Sequence, residues 1–517
     1  MASPVPPAAS GGAVPHRGLI TLCCMIGTLM QALDATIANV ALPYMQGSLS
    51  ATYDQITWVL TSYIIAAAIM TAPVGWLAAR FGRRNLFVVS LAGFTVTSML
   101  CGLAQSLGQI VIFRIAQGMF GAALVPLSQS IMLDIYPVER RGEAMAIWGM
   151  GVMVGPIMGP TLGGYLTEFY SWRWVFYVNV PFGIAAMLGL MLFMRRLRGN
   201  VSLRFDWLGF AVLALGIGAF QMMLDRGELK DWFSSSEIVT EAAVAGIGAY
   251  LFVVHLLTAE KPFIPPEIFR DVNFSASMLV MFSAGLVLVA SSALLAPYLQ
   301  ELAGYPVETA GLVLAPRGVG TMAAMLVAGR LSDRIDPRIL MLLGVVLLEY
   351  SIWLMLGWTP DVAPRTVAWA IVLQGAGLGL VFTPLQVMAF ATLPVAMRTD
   401  GASLLSLFRN FGSAIGVSVT SALLDRVGQV EHSVLAGLVT PFRRLMQDSP
   451  SIHHFLDPGT PAGAAALDQL VGQQAQAIAY LADFKLMMIT TLPILPLILI
   501  MRRRSAALSA EPAAVLE

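Results

Sequence analysis

Long apolar runs recur along this 517-residue chain, each close to the length that crosses the roughly 30 Å hydrocarbon core of a bilayer as a helix. Fourteen are predicted, near 19–42, 55–78, 85–105, 108–133, 144–166, 173–194, 205–224, 236–258, 272–298, 307–328, 338–358, 366–391, 400–424 and 484–501. The first follows a Pro-, Ala- and Gly-rich stretch, MASPVPPAASGGAVPHRG, that lacks a basic region ahead of a short apolar core. It is therefore expected to be retained as a helix and not cleaved as a signal peptide. One large polar excursion, 425–483, precedes the last run. Its final part, ALDQLVGQQAQAIAYLADF, aligns Leu467, Leu470, Val471, Gln474, Ile478 and Leu481 on one helical face, which predicts a cap on the outer surface.

Composition agrees with the pattern: 57% of residues are hydrophobic and 12% charged, too little charge for the surface of a soluble protein of this size. The zero net charge conceals a segregation. With the N-terminus inside, nineteen of the thirty Lys and Arg residues fall in inner segments and eight in outer ones, so both termini are expected in the cytoplasm. The remaining three, Arg114, Arg317 and Arg409, lie within runs. Cys23, Cys24 and Cys101 all sit in apolar stretches and read as small core residues, with neither disulfide nor metal spacing. No nucleophile, metal or cofactor constellation converges within the runs, and no phosphate-binding Gly-rich loop ending in Lys and Ser/Thr is present, so an enzyme or an ATP-driven pump is disfavoured. No cofactor is expected.

The chain also repeats itself. GWLAARFGRR (75–84) follows the second run and GRLSDRIDPR (329–338) the tenth; QGMFGAALVPLSQ (117–129) lies in the fourth and QGAGLGLVFTPLQ (374–386) in the twelfth. The two offsets nearly agree, which predicts two six-helix halves with the seventh and eighth helices inserted between them.

Further stretches complete a pattern: LDATIANVALP, DQITWVLTSYIIAAAI, RIAQGMFGAALVPLSQ, GVMVGPIMGPTLGGYL, WRWVFYVNVPFG, LDRGELKDWFSS and LFRNFGSAIGVSV, in that order. The chain thereby resembles, over essentially its whole length, the fourteen-span drug:proton antiporters of the major facilitator superfamily (the EmrB/QacA group), and most closely the EmrB type. The resemblance implies an all-α membrane protein of the major facilitator fold, with fourteen transmembrane helices arranged 6+2+6. The domains expected are a cytoplasmic tail (1–18), an N-terminal bundle (19–195), a linker pair (205–258), a C-terminal bundle (272–501) carrying the outer loop 425–483, and a second cytoplasmic tail (502–517). It implies proton-driven efflux of hydrophobic toxic compounds across a bacterial inner membrane. Lipophilic substrates, protons and the bilayer would be its partners, with a periplasmic adaptor and an outer-membrane channel, and no nucleic acid. Export of an endogenous metabolite or lipid is the alternative, and facilitated import a weaker one.

Candidate residues follow from depth and spacing. Asp34 lies eight residues inside the outer edge of its run, roughly 12 Å, and Arg114 six residues, roughly 9 Å. A lone charge in hydrocarbon is costly, and the two are at matching depth on helices that the resemblance places around one cavity. They are expected to pair, either as the proton-coupling acid and its modulator or as a fixed structural pair. Gln31, Gln117, Arg317 and Arg409 are candidates for the substrate cavity, the two arginines either to hold an anionic substrate or to bind a structural carbonyl. In the gating loops, Gly75, Arg80, Arg83 and Arg84, with Asp333 and Arg334 of the second copy, are expected to latch the inner side or merely to set topology. The family usually has Asp where this chain has Ala79, so a latch here needs another acid. Gly151, Gly155, Gly159 and Gly163 recur every four residues with Pro156 and Pro160 between them, a smooth stripe with a possible kink that resembles the family's antiporter motif. Glu349 is expected on a peripheral helix and His255 at a helix end near the cytoplasm.

Overall fold

A computed structural model describes residues 15–195, 200, 202–332, 334–439, 456 and 460–502. Its long helices are α1 (Arg17–Ser48), α2 (Trp58–Thr71, continued by Val74–Phe81), α3 (Arg83–Leu103), α4 (Leu107–Ile135), α5 (Arg141–Phe169), α6 (Trp174–Phe193) and α7 (Trp207–Arg226). They continue with α8 (Ser236–Thr258), α9 (Val272–Leu302), α10 (Thr309–Ser332), α11 (Pro337–Met355), α12 (Pro364–Ala389), α13 (Arg398–Leu438) and α14 (Pro461–Ile500). Counting the two pieces of α2 as one span gives fourteen membrane helices, and the described residues contain no strand. Only helices satisfy every backbone group inside hydrocarbon, so this is the form the apolar runs must take. Their starts are set locally: Asp206, Asp271 and Asp336 each accept a bond from a first-turn N–H, as Ser106 and Thr460 do. Pro73 marks the 58° bend in α2.

The helices pack as the repeat requires. In one half α1 lies against α4, α5 and α6, and α2 and α3 both pack on α4; in the other, α9 lies against α12 and α13, and α10 and α11 both pack on α12. The inserted α7 and α8 pack on each other, and α7 leans on α2 and α13. His255 of α8 reaches Asp206 at the start of α7, 2.8 Å away, tying the ends of the inserted pair together.

The glycine stripe of α5 lies against α1. A Cβ at Gly155 would sit 2.5 Å from the Ala32 carbonyl carbon, so only glycine lets the two backbones approach this closely, and Thr36 donates to the Gly155 carbonyl at 3.3 Å. Despite Pro156 and Pro160, α5 runs as one helix of 29 residues.

The largest departure from expectation lies around the polar excursion. Helix α13 runs for 41 residues, roughly 60 Å at 1.5 Å per residue, about twice the hydrocarbon core, and α14 begins at Pro461 rather than near 484. The segment expected to cap the surface is instead the upright continuation of the last span, joined to α13 through His432 and Asp468 at 3.0 Å. Its buried face is made by Ala475, Ala479 and Tyr480, while Leu470, Gln474 and Ile478 are exposed.

Candidate proton site, cleft and gate

Five helices of the first half converge on Asp34. The carboxylate and the guanidinium of Arg114 are wholly buried, with Arg114 Nη1 2.6 Å from Asp34 Oδ2. Gln117 Nε2 (2.8 Å) and Asn179 Nδ2 (3.2 Å) donate to Oδ1. Arg114 in turn donates to the Gln117 side-chain oxygen (2.9 Å) and, through Nε, to the Val59 carbonyl (2.9 Å), and its guanidinium lies 4.0 Å over the Tyr63 ring. Ser98 accepts from Asn179 (3.1 Å) and donates to the Phe176 carbonyl (2.8 Å), completing the shell. Three donors, one of them the guanidinium, satisfy the carboxylate oxygens, and the pair is shut off from water in this conformation.

The expectation for Gln117 changes with this geometry: it is an internal member of the acid–arginine network, not a wall of the substrate cavity. Its position, one turn after Arg114, is the signal that points that way. Asn179, Ser98 and Tyr63 carry little sequence signal; the lone Asn within VFYVNVPFG is the available cue.

Between the halves lies a narrow apolar cleft, lined by Met153 of α5, Met281 and Leu288 of α9, Met325 of α10, Phe382 of α12 and Arg409 of α13. Arg409 contributes to the lining, and among the described residues its guanidinium has no hydrogen bond or ion pair. Arg317 does not face it in the same way: it donates to Ser291 (2.8 Å), Ser292 (2.8 Å) and the Leu288 carbonyl (3.1 Å), bracing α10 against α9. Gln31 is half-buried in the other half, on the helix that carries Asp34.

The polar contacts between the halves gather at the end that carries GWLAARFGRR, the basic end. Asp134 at the foot of α4 binds Arg83 and also Arg398 of α13, the latter at 2.6 Å. Arg83 reaches the Val395 carbonyl at 3.4 Å, Ser130 meets Thr399 at 2.9 Å, Gln129 donates to Gln386, and Trp148 stacks on Phe382. The Asp400 carboxylate fills the space beside Gly75 that a side chain there would need. Asp134 is thus the acid that the loop itself lacks at Ala79. Arg84 is turned instead to the Leu190 (3.3 Å) and Met191 (2.6 Å) carbonyls at the end of α6, and Arg80 holds the Leu203 carbonyl. In the second copy Asp333 lies outside the described residues, and the Arg334 side chain is exposed. Glu349 binds Thr491 of α14.

Two six-helix halves with a cleft between them and polar links gathered at one end have a transporter's geometry. The sequence model of the Major Facilitator Superfamily matches residues 24–417. The chain belongs to this superfamily, in its EmrB-type branch. It is 36% identical to the multidrug export protein EmrB of Haemophilus influenzae over 431 residues, 83% of this chain and 84% of that one. It is 34% identical to EmrB of Escherichia coli K12 over 470 residues (90% and 88%), and 34% identical to the fatty acid resistance protein FarB of Neisseria gonorrhoeae over 431 residues (83% and 85%). Among solved structures, the human organic anion transporter MFSD10 superposes with a TM-score of 0.58 at 14% identity, covering 92% of this chain and all of that one. The proton:xylose symporter XylE gives 0.55 at 16%, covering 90% and 95%. Likeness at that identity speaks for the fold alone. A superfamily member of this kind is a multi-pass membrane transporter and not an enzyme.

Proposed function

We propose that this protein exports hydrophobic toxic compounds in exchange for protons, seated in a bacterial inner membrane with its basic end and both termini in the cytoplasm. The observation that carries the reading is the Asp34–Arg114 pair, a titratable acid held by a displaceable counter-charge inside the first half-bundle. Rocking of the halves 19–195 and 272–501 about the cleft, with 205–258 carried between them, would shift the helices that hold the pair. When Arg114 withdraws and water enters, Asp34 takes a proton; when the pair re-forms, the proton leaves. Proton and cation thus compete for one carboxylate, which couples the gradient to the rocking.

With Asp134 bolted to Arg83 and Arg398, the cytoplasmic end is closed and the cleft belongs to the outward side. Methionine and phenylalanine give the chamber an adaptable apolar surface, suited to many lipophilic shapes. Arg409 adds a contact for compounds with an acidic end, and this favours a second reading, export of an amphipathic endogenous anion such as a fatty acid. The far end of α13 exposes Val430, Val434 and Leu438 at four-residue steps. This is where a periplasmic adaptor leading to an outer-membrane channel would dock.

The test is a proteoliposome assay with a panel of neutral and acidic lipophilic compounds, with and without an imposed pH gradient. Uphill movement of several toxicants only on the gradient is expected. Movement that is insensitive to the gradient, or confined to one metabolite, would displace the reading.

A further inference from the structure

The carboxyl of Asp483 in α14 is wholly buried, and neither of its oxygens has a hydrogen-bond partner among the described residues. Its surroundings are aromatic. The Tyr298 ring of α9 stands 5.2 Å from Tyr480, one turn before Asp483, and 6.1 Å from its neighbour Phe484, which Trp358 meets at 5.9 Å. The ionisable groups nearby are Tyr480 on the same helix and Tyr298 and Glu301 on α9. Tyr298 is committed to the Thr359 carbonyl (3.0 Å) and Glu301 is exposed. Of the charged groups on the other packed helices, Glu349 of α11 is bonded to Thr491, and Asp425 and Arg426 of α13 are exposed, as is Lys485 on α14 itself. No cation among the described residues pairs with Asp483.

We infer that Asp483 is a second proton-carrying group of the transport cycle, loaded in the conformation that is closed at the basic end. An ionised carboxylate in this pocket would lack both a counter-charge and a donor, so the neutral acid is the form that the packing accepts. Asp34, in the same conformation, has three donors, one of them a guanidinium. The two halves therefore hold their acids in opposite protonation states at one moment of the cycle. Counting from Ile500 at about 1.5 Å per residue, Asp483 lies roughly 25 Å from the basic end, toward the side from which an antiporter takes up protons. When rocking admits water to the aromatic pocket, the O–H bond breaks, the proton passes to water and the carboxylate is left solvated. The inference rests on the proton-antiport reading and adds a proton to each cycle.

Full-length protein in liposomes provides the test: steady-state accumulation of a fluorescent lipophilic substrate is read against imposed pH steps for the wild type, Asp483→Asn and Asp34→Asn. Asp483→Asn is expected still to accumulate substrate, but at a one-unit step its ratio falls about tenfold below wild type, the loss of one coupled proton. An unchanged ratio overturns the role of Asp483 and leaves proton antiport standing, whereas a wild type that accumulates nothing on any pH step overturns both. Infrared spectroscopy of the purified full chain supplies a measurement independent of transport. At neutral pH the wild type should show a carboxylic-acid C=O band that is missing from Asp483→Asn and Asp483→Leu; identical spectra overturn the proposal.

Discussion

Replacing Arg114 by Met strands the Asp34 charge in a site with no solvent exposure, leaving it only the amide donors of Gln117 and Asn179. Breaking a buried pair from one side destabilises by about 3–5 kcal/mol, because the remaining charge loses its compensation. Asp34→Asn has the same consequence in reverse: the guanidinium keeps the Val59 carbonyl, the Gln117 oxygen and the Tyr63 face, yet remains a buried cation. The double substitution removes both charges. It loses the bond to Val59 and the ring contact, together about 1–3 kcal/mol, and leaves a neutral site. A double-mutant cycle should therefore show the double variant more stable than the sum of the single effects by at least about 3 kcal/mol. The assay is denaturant unfolding of the detergent-solubilised protein, followed by tryptophan fluorescence. Effects that add to within about 0.5 kcal/mol would refute the claim that the two groups form one buried electrostatic unit.

Gly155→Leu forces a side chain into the Ala32 backbone and should separate α1 from α5, costing about 1–3 kcal/mol and slowing exchange with the protein still inserted; unchanged transport would show that the close approach is dispensable. Asp134→Asn weakens the links to both Arg83 and Arg398, so cysteines placed in the cleft should react several-fold faster with a membrane-impermeant reagent applied at the basic end, and equal rates would remove Asp134 from the gate. Arg409→Gln should raise the apparent KM for acidic lipophiles about tenfold and that for neutral analogues less than twofold, as expected for one charge-assisted contact; equal shifts would mean that the guanidinium only shapes the cleft.

Hydropathy reports position along the membrane normal, and what depends on that coordinate was legible. The spans, the matching depth of Asp34 and Arg114 and the four-residue glycine period all follow from it. Rotation of a helix about its own axis is a second coordinate that composition hardly touches. For that reason Gln117 looked like a cavity residue when it is turned toward Asp34, and Arg317 is occupied with α9 while Arg409 lines the cleft without a hydrogen-bond partner among the described residues. The acid that meets Arg83 was illegible for a related reason. The loop lacks its usual carboxylate, and Asp134, about fifty residues further along the chain, is brought to Arg83 by tertiary packing alone. The ends of α13 and α14 escaped because an apolar window finds the part of a helix in hydrocarbon, whereas Leu, Gln, Glu and Ala sustain helices in water equally well.

The central claim is that Asp34 exchanges its Arg114 partner for a proton as the halves rock. Substrate accumulation in proteoliposomes containing Asp34→Asn, set against wild type under an imposed pH gradient, tests it most directly. The account predicts that the wild type concentrates substrate uphill while Asp34→Asn only equilibrates it, with exchange at equal concentrations still measurable. Uphill accumulation by Asp34→Asn at the wild-type ratio would contradict it.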